Sequence, residues 1–285
     1  MKTEFPLVSI LTTNYNGAEY IDDAIKSLLN QTYSNWEHII IENGSTDNSI
    51  VEILKYSDSR IQLIKYENNI GRTKALVVAA KAAKGEYICV LDIDDTFELT
   101  KIEEQVNYLN NHQNVSVIAT SYNLINKVKI LIDKIIIKNN QYKFPNIFSH
   151  LNPIAHSSVM FRKKHYEFVK GYDKSLIFAQ DFDLWIKLSK VGEIKFIEKP
   201  LTNIRISASS MSNDKSQEII RYQEVTKLFV ESKLISGVNL TKEELKLHKI
   251  EILNRELNVL LNTKPRPYIN ISTFLFKYLK IKISK

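Results

Sequence analysis

The sequence predicts an α/β fold built on a parallel, doubly wound sheet, and two observations carry that expectation. From residue 7 to about residue 122, short β-rich apolar runs alternate with stretches of helical periodicity, the pattern of strands joined by helical crossovers. One of those runs, Tyr87-Ile88-Cys89-Val90-Leu91, ends directly in Asp92-Ile93-Asp94-Asp95. Fixed negative charge then stands at the carboxyl edge of the sheet, where open α/β folds bind their ligands.

Taken in order, residues 8–12 read as the first strand, and Tyr20, Ile21, Ala24, Ile25, Leu28 and Leu29 then recur at helical spacing. Residues 36–41 read as a second strand, Glu42-Asn43-Gly44-Ser45-Thr46-Asp47 as a polar loop, and 50–56 as a second helix. Residues 60–66 form the third expected strand, Asn68-Asn69-Ile70-Gly71 a turn, and 73–84 an Ala-rich helix that leads to the strand before the aspartates. Beyond residue 122 the order loosens. Residues 130–138 suit a strand of a smaller mixed sheet, 155–161 and 194–197 read as further strands, and 182–190 as a helix between them. From about residue 214 the pattern is helical, with Thr241-Lys242-Glu243-Glu244 fitting a capping box, until Lys264-Pro265-Arg266-Pro267 breaks it. The expected domains are 1–212, divided at 122/123 into two halves, then a helical extension at 213–263 and a basic tail at 264–285.

Composition excludes several function classes. A chain of 285 residues with 44% hydrophobic content can bury a full core. Its one cysteine, Cys89, rules out internal disulfides, Cys-based zinc sites and C-x-x-C redox chemistry. Seven glycines, none suitably spaced, exclude G-x-G-x-x-G and P-loop phosphate sites, and no G-x-S-x-G elbow supports a hydrolase. The net charge of +7 is concentrated, because Lys264, Arg266, Lys277, Lys280, Lys282 and Lys285 meet no acid in the tail. The rest of the chain is nearly neutral, which argues against nucleic acid as a partner. Neither a signal peptide nor a membrane span is expected, so the predicted location is the cytoplasm.

On a strand, Asp92 and Asp94 should face the same way, and two aligned carboxylates suit a hard divalent cation that carries nucleotide phosphates. An isolated D-x-D is more often a solvated acidic turn. A calcium loop is excluded, since Phe97 stands where such a loop needs glycine.

The strand end Val8-Ser9-Ile10-Leu11-Thr12-Thr13-Asn14-Tyr15-Asn16, the loop 42–47, Asp92-Ile93-Asp94-Asp95 and Gln180-Asp181-Phe182-Asp183-Leu184-Trp185 together closely resemble the family-2 inverting glycosyltransferases. The resemblance covers about two-thirds of the chain. It implies a GT-A fold, a Rossmann-like nucleotide-diphospho-sugar transferase architecture, with 1–122 as the nucleotide-sugar-binding half and 123–212 as the acceptor-binding half, here with a C-terminal helical extension. It further implies that Thr13 and Tyr15 touch the nucleoside, Tyr15 by stacking, and that Asn43 accepts a hydrogen bond from uracil where the family usually has Asp. Asp92 would contact the ribose and Asp94 would hold Mn2+ or Mg2+, with Asp92 and Asp95 as further candidates. Asp181 would be the general base, preceded by Gln180 in place of the usual Glu, and His156 matches a segment near the acceptor. Ser207 stands where the family often has a metal-binding His. Arg72 and Lys74 suit the diphosphate or, equally, the solvated start of a helix.

The implied activity is metal-dependent transfer from a UDP-sugar to a glycan or lipid-linked glycan acceptor, in bacterial surface-polysaccharide synthesis. Ile271, Phe274, Leu275, Tyr278 and Leu279 at helical spacing would let the basic tail lie on an anionic membrane at its inner face, although the tail also suits a strand or packing on the catalytic domain. Two rival classes remain open. A sugar nucleotidyltransferase would need a glycine-rich basic loop after the first strand, which Asn14-Tyr15-Asn16-Gly17-Ala18 lacks; a non-catalytic nucleotide-sugar-binding module would have no need of Asp181.

Overall fold

A computed structural model describes residues 5–139, 152, 154–206, 220, 224, 225 and 228. The chain divides into two compact units, residues 1–147 with 152–207, and residues 148–151 with 208–285. Nearly all the described residues belong to the first unit. Ser207, the tail at 264–285 and all but four residues of the expected helical extension lie outside the described residues.

The first unit is organised on one nine-stranded sheet. Its opening half follows the sequence pattern: β1 (Val8–Asn14), α1 (Ala18–Leu29), β2 (Trp36–Asn43), α2 (Ser49–Leu54), β3 (Ile61–Tyr66), α3 (Arg72–Ala82) and β4 (Tyr87–Val90). These strands run parallel in the order β3-β2-β1-β4, as right-handed crossovers through helices require. Being covered on both faces, β1 and β4 are almost continuously buried, and β4 has no residue more polar than Tyr87. Helix α1 buries only the stripe Ile21, Ala24, Ile25 and Leu28, which is why its signal is periodic.

The second half departs from expectation in four ways. Among the described residues no separate small sheet forms. Instead β8 (Val159–Arg162) pairs antiparallel with β4 and with β6 (Val115–Ile125), and so continues the same sheet. Strand β9 (Glu193–Arg205) then runs parallel to β6, β5 (Thr96–Phe97) pairs with β9, and β7 (Leu131–Ile135) folds back on β6. The expected strand at 194–197 is thus the start of a much longer one, whose register shifts where Pro200 meets Ser121. The expected strand at 155–161 begins as a 3-10 turn, His156–Ser158. Helix α4 (Lys101–Asn111) and β6 had no sequence-derived counterpart, and two further helices, α5 (Lys163–Phe168) and α6 (Gln180–Leu188), complete the unit.

One buried chain of hydrogen bonds pins the end of β4. His38 on β2 lies with its Nε2 2.8 Å from Thr12 Oγ1, and that hydroxyl donates at 2.7 Å to the carbonyl of Leu91. Because the hydroxyl's proton is committed to Leu91, His38 Nε2 carries the proton it donates, and its buried Nδ1 has no partner among the described residues. A second proton would be buried without an acceptor, so burial pushes the imidazole down to about 3.

The sign of the resulting pH dependence follows from linkage. Below pH 6.5 the unfolded chain takes up a proton that folded His38 refuses, so this contribution to stability is complete above pH 6.5 and falls as pH drops toward 3, by ~1.4 kcal/mol per unit. Denaturant unfolding of parent and His38→Gln at pH 7 and pH 5 should show the variant losing ~2 kcal/mol less over that interval. Equal losses would mean that His38 is protonated in the folded protein.

Candidate active site at the carboxyl edge of the sheet

The D-x-D does not sit on the strand. Strand β4 stops at Val90, and the amide of Asp95 donates to the carbonyl of Asp92 at 3.0 Å, closing a turn over residues 92–95. Side-chain alternation therefore does not set the directions of these carboxylates; their partners do. Asp92 accepts from Arg72, the first residue of α3, whose Nη2 lies 2.7 and 2.6 Å from its two oxygens. Asp95 is buried, with one oxygen accepting from the Ser157 hydroxyl and the other from the Arg205 amide at 2.9 Å. Ser157 Oγ in turn accepts the Asp92 amide at 3.0 Å.

Three carboxylates crowd this turn, and their proton affinities separate accordingly. Burial pushes Asp92 up, but the Arg72 charge outweighs it and holds the carboxyl far below the ordinary range. Burial, together with the charge of Asp92, pushes Asp94 up, and burial with both neighbours pushes Asp95 well up. Among the described residues no other residue donates to the Asp94 carboxylate, and no group of three or more Asp, Glu, His or Cys side chains is arranged to enclose a metal ion. This donor set fits a hard divalent ion of the Mg2+ or Mn2+ type held by Asp94 and completed by oxygens from a ligand and from water.

The same arginine reaches across to the later acidic motif. Arg72 Nη2 also lies 3.1 Å from His156 Nδ1; since a guanidinium only donates, Nδ1 accepts, and Nε2 donates to Tyr172 Oη at 2.9 Å. The separation of His156 from Asp92, 3.6 Å, is too long for a second hydrogen bond. The carboxylates of Asp92, Asp181 and Asp94 all stabilise the charge on Arg72, so the structure brings the two acidic motifs and His156 around one cation.

Asp181 lies in the first turn of α6, half-buried, accepting from Asn152 Nδ2 at 2.8 Å and from the Phe182 amide at 2.7 Å. Ala179, not Asp181, occupies the N-cap, because the helix starts two residues earlier than its periodicity suggests. Burial raises the Asp181 carboxyl, the Arg72 guanidinium and the Phe182 amide offsetting only part. Gln180 is buried, and its Oε1 has no hydrogen-bond partner among the described residues. Trp185 and Leu188 are core, as their spacing suggests.

The other flank is built from the ends of β1 and β2. Buried Glu42 accepts from Asn14 Nδ2 and, at 2.6 Å, from the Ser45 amide, while Asp47 accepts the amides of Ala18 and Ser49 at 3.0 Å, tying down the starts of α1 and α2. Gly17 must lack a side chain: a Cβ there would lie 2.5 Å from Asn14 Oδ1 and 2.9 Å from Ile93 in the D-x-D turn. Thr13 is half-buried and Tyr15 half-exposed beside this lacing.

Asn43 is buried and already engaged. Its Oδ1 accepts the Ile70 amide at 2.9 Å and its Nδ2 donates to Asn69 Oδ1 at 3.0 Å, so it shapes the turn before α3. Arg72 turns inward to Asp92 and is no solvated cation, whereas Lys74 is exposed. Glu42, Ser157 and Arg205 were not singled out from the sequence. For Arg205 a signal existed, since an arginine between Ile204 and Ile206 on a strand must find partners if its face is buried.

Comparison with known proteins follows this geometry. The sequence model of Glycosyl transferase family 2 matches residues 9–169. The chain is 33% identical to an uncharacterized glycosyltransferase, RP339, of Rickettsia prowazekii, over 84% of this chain and 74% of that one. It is 30% identical to WfgD of Escherichia coli, a UDP-Glc:alpha-D-GlcNAc-diphosphoundecaprenol beta-1,3-glucosyltransferase, over 80% and 88% of the two chains. Among solved structures, Staphylococcus aureus TarS 1–349 in complex with UDP superposes with a TM-score of 0.65 at 18% identity, covering 96% of this chain and 80% of TarS 1–349. The mannosyltransferase PcManGT of Pyrobaculum calidifontis, in complex with GDP-Man and Mn2+, gives 0.63 at 15% identity over 98% and 85%. At such identities these two establish the GT-A fold.

The Arg72–Asp92 pair is testable without any ligand. Each side chain is about a quarter exposed, 25% and 24%, so removing one partner strands a charge that solvent only partly relieves. A double-mutant cycle of Arg72→Met and Asp92→Asn, followed by denaturant unfolding, should give a coupling of ~1–3 kcal/mol. Coupling near zero would show that the pair is screened and does not hold the turn.

Proposed function

This chain belongs to glycosyl transferase family 2, and from that membership we propose that it transfers a sugar from a UDP-sugar to a lipid-linked or other glycan acceptor, with inversion at the anomeric carbon. The observation that carries the reading is Asp181: a carboxylate of raised proton affinity, sharing Arg72 and His156 with the D-x-D turn. Inversion needs one base that takes the acceptor hydroxyl's proton while its oxygen attacks from the face opposite the departing nucleotide. Asp181 is that base, held by Asn152 and by the Phe182 amide. Gln180, buried directly before Asp181, serves the acceptor side through the placing of that base and not by touching the glycan.

On the donor side, Tyr15 offers a stacking face for the base. Asn43 Oδ1 keeps a second lone pair beyond the one given to Ile70, enough to accept from the N3–H of uracil. Asp92 is the ribose contact, its charge held by Arg72, and exposed Lys74 is available to the diphosphate. A divalent ion on Asp94 would neutralise the charge gathering on the leaving diphosphate. With one protein carboxylate to hold it, the ion is expected to bind together with the nucleotide.

WfgD supports the choice of UDP donor and of a diphosphoundecaprenol-linked acceptor, in keeping with a role in bacterial surface-polysaccharide synthesis. No helix among the described residues is long and apolar enough to cross a membrane. The basic tail at 264–285, outside the described residues, is the candidate for attachment to an anionic membrane surface.

Asp94→Ala should abolish the gain in UDP affinity that Mn2+ confers, leaving metal-free binding intact, as read by calorimetry with and without the ion. Unchanged metal dependence in that variant would move the ion to another residue.

Incubation with UDP-sugars and a glycan acceptor should release UDP, and Asp181→Asn should keep donor binding while turnover falls ~10²–10⁴-fold. In the parent, kcat/KM should decline with falling pH at a point above the ordinary carboxylate range, in the direction of the raised Asp181 affinity. Normal turnover by folded Asp181→Asn would remove it from the role of base.

A further inference from the structure

Arg205, the last residue of β9, is buried to 3% exposure, and its ion pair with Asp23 accounts for only one of its contacts. Its donors fan out to three separate pieces of chain. Nε donates to the Asp94 carbonyl at 2.8 Å, while the backbone amide of the same residue donates to Asp95 Oδ1 at 2.9 Å. Nη1 donates to the carbonyls of Asn126 and Lys127, in the turn between β6 and β7, and Nη2 to Asp23 on α1 at 3.1 Å. Strand β5, which leaves the D-x-D turn, is zipped to the same stretch of β9, with Thr96 opposite Asn203 and Asn203 Nδ2 donating to Thr96 Oγ1 at 3.1 Å.

We propose that Arg205 is a positioning residue for Asp94. Anchored at its far side by Asp23 and the β6–β7 turn, the guanidinium fixes the Asp94 peptide and thereby the direction in which the Asp94 carboxylate leaves the backbone. It brings positive charge to the carboxylate cluster without capping the one carboxylate that has no other donor. A planar fork with five donors can serve these three directions at once; an ammonium on a flexible stem cannot. The inference rests on the reading of Asp94 as the residue that meets the donor's metal-bound diphosphate.

Arg162 supplies the control. It is equally buried and equally bound to backbone carbonyls, those of Val115, Leu109 and His112, but touches nothing in the D-x-D turn. Arg205→Lys, Arg162→Lys and the parent are compared by thermal unfolding and by calorimetry of UDP with and without Mn2+. Arg205→Lys should lose about tenfold in the metal-conferred gain in UDP affinity, with metal-free binding unchanged. Arg162→Lys should lose thermal stability and keep that gain. Should Arg205→Lys fail to fold, Asp23→Ala, which removes one far anchor of Arg205 together with the exposed pair to Lys129, should reduce the gain in the same direction by a smaller factor.

A parent-like gain in Arg205→Lys, or in Asp23→Ala where that variant decides, overturns the inference, as does an equal loss in both lysine variants. A parent protein with no metal-dependent UDP binding would instead sink the donor-site reading itself, and this inference with it.

Discussion

Mutual repulsion among Asp92, Asp94 and Asp95 is the constraint to which the rest of the first unit answers. Three carboxylates within four residues, partly withdrawn from water, cannot all be ionised without nearby positive charge. Two guanidiniums supply it from opposite directions, Arg72 at the start of α3 and Arg205 at the end of β9. The partition is uneven in a useful way. Asp92 is held as an anion, Asp95 is locked between a hydroxyl and an amide, and Asp94 is left with the strongest unmet demand for a cation.

The architecture explains how those two arginines arrive. The crossover through α3 returns to the edge of the sheet beside β4, and the 13-residue β9 runs the length of β6 before reaching the turn. Between them, β8 enters antiparallel next to β4, carrying His156 and Ser157 in the short turn just before it. The reversal of strand direction at β8 therefore has a chemical result: it lets side chains from the second half of the chain meet the carboxyl ends of strands from the first.

How much of this was legible depended on whether the signal was local. The alternation of apolar runs and amphipathic stretches fixed β1 to β4 and their helices to within a few residues, because each element buries its own face against the common sheet. Helix α4 escaped notice: its inward face includes Lys101 and Gln105, which a hydropathy pattern reads as solvent-facing. They are buried because Lys101 Nζ bonds Gln105 and lies over the Phe97 ring, while Gln105 donates to the carbonyls of Ile118 and Ser158. The acidic motifs stood out as residue types. That the first lies in a turn is a local fact of backbone bonding that residue type alone does not reveal, whereas the engagement of Asn43 by Ile70 and Asn69 and the inward direction of Arg72 are tertiary facts, set by partners 20 or more residues away. Arg205 and Asp181 both fall beyond residue 169, where the match to the family's sequence model ends.

The distance along the chain between Asp94 and its clamp has a consequence for how the protein is made. The two residues are 111 positions apart, and a ribosome adding roughly 5–20 residues per second needs about 5–20 s to cross that gap. Throughout that interval the nascent first half holds its acidic turn with Arg72 in reach and the second cation not yet synthesised. The turn therefore gains its last partners only when β9 closes the sheet, and residues 1–122 by themselves lack the guanidinium and the amide that hold Asp94 and Asp95.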